Sequence, residues 1–156
     1  MKTTKFYRDL ENGKRFEKIA VDYINCDNVK HIEGNFKYYD FIAFKNGEEL
    51  RCEVKSDRLA SNTGNLCIEF ECWGNPSGIA TTKADVWVYF VVHSDTDYEC
   101  YVIPRKQLKK LCRDCRRVRG GDNYASRMFL LPKICCKEYL ITQDNKYNFI
   151  KNNQTA

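Results

Sequence analysis

Tyr39-Asp40-Phe41-Ile42-Ala43-Phe44-Lys45-Asn46-Gly47-Glu48-Glu49-Leu50-Arg51-Cys52-Glu53-Val54-Lys55 is the stretch on which the fold turns. Asn-Gly between two alternating runs is the strongest short hairpin signal, because both central residues of a type I′ turn take positive φ. A two-residue turn at Asn46-Gly47 sets Lys45 opposite Glu48, and counting back gives Phe44–Glu49, Ala43–Leu50, Ile42–Arg51, Phe41–Cys52 and Asp40–Glu53. Side chains alternate along a strand. Phe41, Ala43, Leu50, Cys52 and Val54 therefore share one mainly apolar face, and Asp40, Glu53 and Lys55 meet on the other, at the open end of the hairpin.

Like charges facing each other across a ladder are destabilising, so two opposed carboxylates call for a reason other than stability. A divalent cation removes the repulsion: Mg²⁺ is held by one or two carboxylates together with water and a phosphate oxygen. Lys55, two residues along the strand from Glu53, is placed to orient water or stabilise charge developing on phosphorus. These parts fit metal-assisted phosphodiester hydrolysis. A solvated Glu-Lys strand face with an ordinary salt bridge would use the same two residues. The Asp brought opposite by an independent turn signal separates the two readings.

Outward from the hairpin, a stripe of Phe16, Ile19, Ala20, Tyr23 and Ile24 predicts a helix over 11–24, with Glu17 on its border. Strand-like segments follow at 39–45, 48–55, 65–72, 86–92 and 98–103, with a short helix over 77–84 between the third and fourth. Further short apolar segments lie at 128–131 and 138–142. From Gln143 the chain is polar and a frayed end is expected, so residues 1–145 read as one domain and 146–156 as a polar tail. The 156 residues, 43% hydrophobic and 30% charged with only 3 Pro and 8 Gly, exclude a disordered or collagen-like chain. No apolar run reaches the roughly 18 residues of a membrane span, and the N-terminus lacks the apolar region of a secretory signal. Nine cysteines, an odd number, without secretion features point to reduced thiols in the cytoplasm, the nucleus or a virus factory. Cys112-x-x-Cys115 and Cys135-Cys136 lack the second paired motif or histidine pair of a structural zinc site.

The net charge of +5 is unevenly placed. Residues 105–119 hold eight basic residues against one acidic, a local balance of +7, which leaves −2 for the rest of the chain. Such asymmetry suggests a polyanion-binding surface, where an isolated basic run is otherwise a solvated helix face. The segment reads as a basic helix over 104–119. Pro104 suits its first turn, Gly120-Gly121 its stop, and Leu108, Leu111, Cys112, Cys115 and Val118 its apolar stripe. Arg113, Arg116, Arg117 and Arg119, followed by flexible backbone and Tyr124, suit phosphate contacts better than base reading. Trp73 and Trp87 are expected in or beside the core, with base stacking as the alternative for Trp73. Glu69 and Glu71 read as an outward strand face or as an extension of the acidic site. His31 and His93 receive no role.

Gly13-Lys14-Arg15-Phe16-Glu17, Tyr39-Asp40 and Glu53-Val54-Lys55, in that order, resemble the PD-(D/E)XK nuclease superfamily, and most closely its archaeal and viral Holliday junction resolvase-like members. Residues 68–89 are similar to segments of viral and phage members, so the resemblance spans roughly residues 11–92. Tyr39 stands where the family has Pro, and the region after residue 100 has no counterpart. The resemblance implies an α/β fold, a restriction-endonuclease-like mixed β-sheet core flanked by α-helices. It also implies dependence on Mg²⁺ or Mn²⁺ and a homodimer. Asp40 and Glu53 would be metal ligands with the Val54 carbonyl, Lys55 the catalytic lysine and Glu17 a further carboxylate at the site. Lys14, Ser56 and Lys83 would lie close enough to touch DNA. The expected function is a metal-dependent endodeoxyribonuclease, with branched DNA as one candidate substrate. The alternative is a non-catalytic DNA-binding module that retains the fold.

Overall fold

The computed structural model describes residues 2–36 and 38–150. Asn46 (φ 49°) and Gly47 (φ 78°) both take the left-handed conformation of a tight turn. They join β2 (Phe41–Lys45) to β3 (Glu48–Asp57) in the expected register, from Lys45 opposite Glu48 to Phe41 opposite Cys52. The ladder ends there, one pair short of the expected Asp40–Glu53 pairing: the Asp40 N–H donates to the Cys52 carbonyl at 2.8 Å instead.

The hairpin forms part of a six-stranded mixed sheet ordered β1-β2-β3-β6-β7-β10, where β1 is Asn28–His31, β6 Val86–Val92, β7 Tyr98–Pro104 and β10 Leu140–Ile141. β3 and β6 pair in parallel and the other neighbours antiparallel. Every residue of β6 is buried, as a central strand covered on both faces requires. Val86, Val88, Phe90 and Val92 point to one core, where α1 (Thr4–Val21) packs Phe16 and Ala20 against them beside Phe41, Ala43, Leu50 and Cys52. Phe16 meets the Phe90 and Tyr98 rings at centroid distances of 5.0 and 5.4 Å. Trp87, Tyr89 and Val91 point to the other core, shared with α3 (Arg105–Cys112) and a second sheet.

That second sheet is four-stranded and ordered β5-β4-β9-β8, with β4 Asn65–Cys72, β5 Asn75–Pro76, β8 Arg116–Gly120 and β9 Ser126–Pro132. A short helix, α2 (Ala60–Thr63), joins β3 to β4. The protein is thus a mixed α/β structure, a mixed sheet flanked by helices. Among the described residues no helix is long and apolar enough to cross a membrane.

Three expectations need correction, and one strand had no counterpart among them. The basic segment is not one helix over 104–119: α3 ends at Cys112, and Arg116–Gly120 is the edge strand β8, paired antiparallel with β9. With Val118 its one large aliphatic side chain, the segment satisfied helical and strand periodicity alike, and pairing with β9 decides between them. The helix over 77–84 shrinks to a 3₁₀ turn, Gly78–Ala80. There the backbone presses so close to β4 that a Cβ on Gly78 would lie 2.2 Å from the Glu69 carbonyl oxygen. β1 was not foreseen, because its burial shows no alternation to read. Nor is the chain frayed from Gln143. The Tyr147 N–H donates to the Tyr23 carbonyl at 2.8 Å, and Tyr147 and Phe149 pack on the first core. Residues 151–156 lie outside the described ones.

Candidate functional site

The hairpin register brings Asp40 onto β3. Asp40 Oδ2 accepts the Val54 N–H at 2.7 Å, which fixes one carboxylate oxygen against the backbone that also carries Glu53 and Lys55. The Glu53 side chain is only 15% exposed, and its Oε1 lies 3.2 Å from Lys55 Nζ. The Lys55 ammonium also stands over the Trp87 ring, 5.5 Å from its centroid, a cation–π contact that limits where its stem can swing. Glu17 approaches from α1.

The electrostatics record how close these groups are. Burial pushes the Asp40 carboxyl up, opposed by the Val54 N–H and the Lys55 charge. Burial also pushes Glu53 up; Lys55 opposes this and the Asp40 charge adds to it. Glu17 is pushed up to about 7, by burial first and then by the charges on Asp40 and Glu53, with Lys14 partly offsetting them. Three carboxylates that all hold their protons more tightly than usual, Glu53 under the charge of Asp40 and Glu17 under the charges of both, form a site short of positive charge.

Glu17 and Asp40 line an open groove of about 900 Å³ between α1 and the 32–40 loop, with Lys14, Lys18 and His31. Phe36 and Tyr39 also line the groove, and Phe36 packs edge-on against Tyr38 and Tyr39 at 5.4 and 4.8 Å. Lys83 is tied to this loop. Its N–H donates to the Tyr38 carbonyl at 3.2 Å, and its ammonium lies 4.4 Å from the Tyr38 ring centroid. The neighbouring Thr82 hydroxyl donates to the same carbonyl.

The structure therefore gathers Glu17, Asp40, Glu53 and Lys55, with Glu17, Asp40 and Lys14 lining the groove and Glu53 and Lys55 on β3 behind it; Lys83 is placed by its contacts with Tyr38 and does not line the groove. Nor does the structure bring Ser56 into the groove. Ser56 lines a smaller cavity with Asp9, Asn12, Phe16, Arg58 and Val92. Arg113 follows α3, Arg116, Arg117 and Arg119 lie on β8, and Tyr124 sits on the turn after it; these form a separate surface on the second sheet. Lys18 and His31 were missed as groove residues, because only the placement of the 32–40 loop over α1 brings them there. Glu69 does not extend the acidic site: its carboxylate accepts the Ser77 and Ser126 hydroxyls. Glu71 pairs with Arg127 at 3.5 Å.

All nine cysteines are free thiols. Cys112 and Cys136 are buried, with burial the first cause that lifts both to about 12, so they stay protonated at neutral pH. Among the described residues no group of three or more His, Cys, Asp or Glu side chains is close enough to hold a metal ion. A cation at the hairpin would have to combine two carboxylates, a main-chain carbonyl and water. That all-oxygen donor set has the chemistry Mg²⁺ accepts.

Neither a protein-family model, nor a curated protein, nor a solved structure matches this chain. The functional reading rests on the site itself.

Proposed function

We propose that the protein is a metal-dependent endonuclease that hydrolyses DNA phosphodiester bonds, built on a restriction-endonuclease-like core. The observation that carries the reading is the Asp40 carboxylate clamped on the Val54 N–H at 2.7 Å, which places it against the mostly buried Glu53 and the Lys55 ammonium. A solvated strand face has no use for burying two carboxylates together, at the cost of raising the proton affinity of both.

Asp40, Glu53 and the Val54 carbonyl would hold Mg²⁺ or Mn²⁺. Such a cation, when bound, polarises the phosphodiester and lowers the pKa of a neighbouring water. The chain's own residues supply the rest. Lys14 and Lys83 draw the phosphate backbone toward the groove. Lys55, confined by Glu53 and the Trp87 face, offers its ammonium to charge developing on the phosphoryl oxygens. Glu17 shares its proton near neutral pH while the other acids are unscreened. Neutralising their charge removes the secondary causes of its raised pKa and shifts it toward the ionised form, which can orient water.

The test is to incubate the protein with supercoiled, linear, single-stranded and four-way-junction DNA, with EDTA or with Mg²⁺ or Mn²⁺. Cleavage is expected only with the cation. Asp40→Asn and Glu53→Gln should lose it while binding DNA in EDTA as before. Unchanged cleavage in both variants would refute the reading. DNA binding without cleavage under any divalent ion would replace it with that of a non-catalytic binding module.

A further inference from the structure

The second sheet ends in two adjacent tips. Trp73 follows β4, and Tyr124 lies in the turn between β8 and β9; the Trp73 N–H donates to the Ala125 carbonyl at 2.9 Å, which locks the tips together. Trp73 is 69% exposed and Tyr124 73% exposed. Both backbones are left-handed, at φ 51° and 54°. That region is costly for large non-glycine residues and is kept where the surroundings impose it, often at binding sites.

Behind the tips the sheet is cationic. Arg119 on β8 faces Arg127 on β9 directly, a like-charge pair that works against folding. Glu71 partners Arg127. Among the described residues no carboxylate pairs with Arg113, Arg116, Arg117 or Arg119. The Arg117 guanidinium lies 5.8 and 5.5 Å from the Phe70 and Phe129 ring centroids, and that of Arg127 lies 5.2 Å from Phe70. Cation–π contacts at these distances restrain the guanidiniums, and that of Arg117, without a carboxylate partner, keeps its N–H groups for phosphate oxygens.

From the exposed rings, the opposed arginines and the guanidiniums held against Phe70 and Phe129 together, we infer that this end of the second sheet binds an unpaired nucleic-acid strand. Trp73 and Tyr124 stack on bases, and Arg117 and Arg119, which no carboxylate partners among the described residues, hold phosphates. A duplex would engage the arginines but leave the rings without partners, since its bases are already stacked. An unpaired strand satisfies both, as in proteins that pair aromatic platforms with basic tracks. The inference rests on the nuclease reading only in taking nucleic acid as the ligand, and it adds a strand-binding surface apart from the acidic groove.

The test is binding in EDTA, where cleavage plays no part. Labelled oligothymidylate, oligouridylate and a blunt DNA duplex are titrated with the full chain, and anisotropy and tryptophan fluorescence are followed together. Trp87 is buried and Trp73 is the only other tryptophan, so stacking is expected to quench the Trp73 emission. Trp73→Ala and Tyr124→Ala should each weaken single-strand binding about tenfold and leave duplex binding unchanged. Arg119→Gln should lower the single-strand salt slope by about 0.7. Binding of either single strand supports the inference. It is overturned if the wild-type emission is not quenched, if both alanine variants bind like wild type, or if they lose duplex binding equally. Asp40→Asn should bind the single strand as wild type does, so a failure of the catalytic reading stays separate from a failure of this one.

Discussion

Removing the Glu17 charge should stabilise the protein at high pH and not at low pH. The carboxyl is pushed from 4.5 to about 7, by burial first and then by Asp40 and Glu53. The folded state therefore holds this proton more tightly than the unfolded chain does, and stability falls as pH rises from 4.5 to 7. A shift of that size would correspond to about 3 kcal/mol if fully expressed. Glu17 is only half-buried, and solvent screening brings the expected penalty to about 1 kcal/mol. Asp40 and Glu53, also raised, add to the slope with the same sign. Urea unfolding of wild type and Glu17→Gln in EDTA measures the effect. The variant should be near parity at pH 5 and about 1 kcal/mol more stable at pH 8. Replacing EDTA with Mg²⁺ at pH 8 should narrow that gap, since a cation bound only by the folded state offsets the repulsion. A variant less stable than wild type at pH 8, or a gap that does not change with pH, would refute the reasoning.

Three further substitutions probe the scaffold. Gly47→Ala places a side chain at φ 78° in the turn that sets the register, and should cost about 1 kcal/mol in denaturant melts. Gly78→Ala drives a Cβ into the Glu69 carbonyl and should cost about 2 kcal/mol or more, read as a lowered thermal midpoint. Burial pushes the Glu99 carboxyl up, but bonds from Lys133, Tyr101 and His93 outweigh it and hold it down to about 2. Its stabilising contribution is present above pH 4.5 and lost as pH falls through 2. Glu99→Gln should therefore cost about 1 kcal/mol at pH 7 and much less at pH 2, by acid titration of the fold.

The acidic site was legible because a local signal fixed a non-local result. Asn46-Gly47 set the register, and the register brought Asp40 to β3. The strands at 65–72 and 86–92 were legible from their apolar content and the turn residues around them. Period alone failed where an edge strand carries one large aliphatic side chain: Arg116–Gly120 reads equally as helix or strand until β9 pairs with it. The 77–84 segment was lost to a contact between Gly78 and Glu69 that no propensity encodes. Lys18 and His31 join the groove only through the placement of a loop. The Trp73–Tyr124 pair depends on a hydrogen bond between two distant turns. The placement of side chains along one hairpin could be read from sequence, and the loop-borne groove residues and the Trp73–Tyr124 pair could not.

Soaking crystals of the protein in Mn²⁺ and collecting anomalous diffraction tests the central claim most directly. The account predicts a peak within coordination distance of a carboxylate oxygen from each of Asp40 and Glu53 and of the Val54 carbonyl oxygen, absent from crystals of Asp40→Asn. A saturating soak that leaves this position without a peak, or an equal peak in the variant, would contradict it.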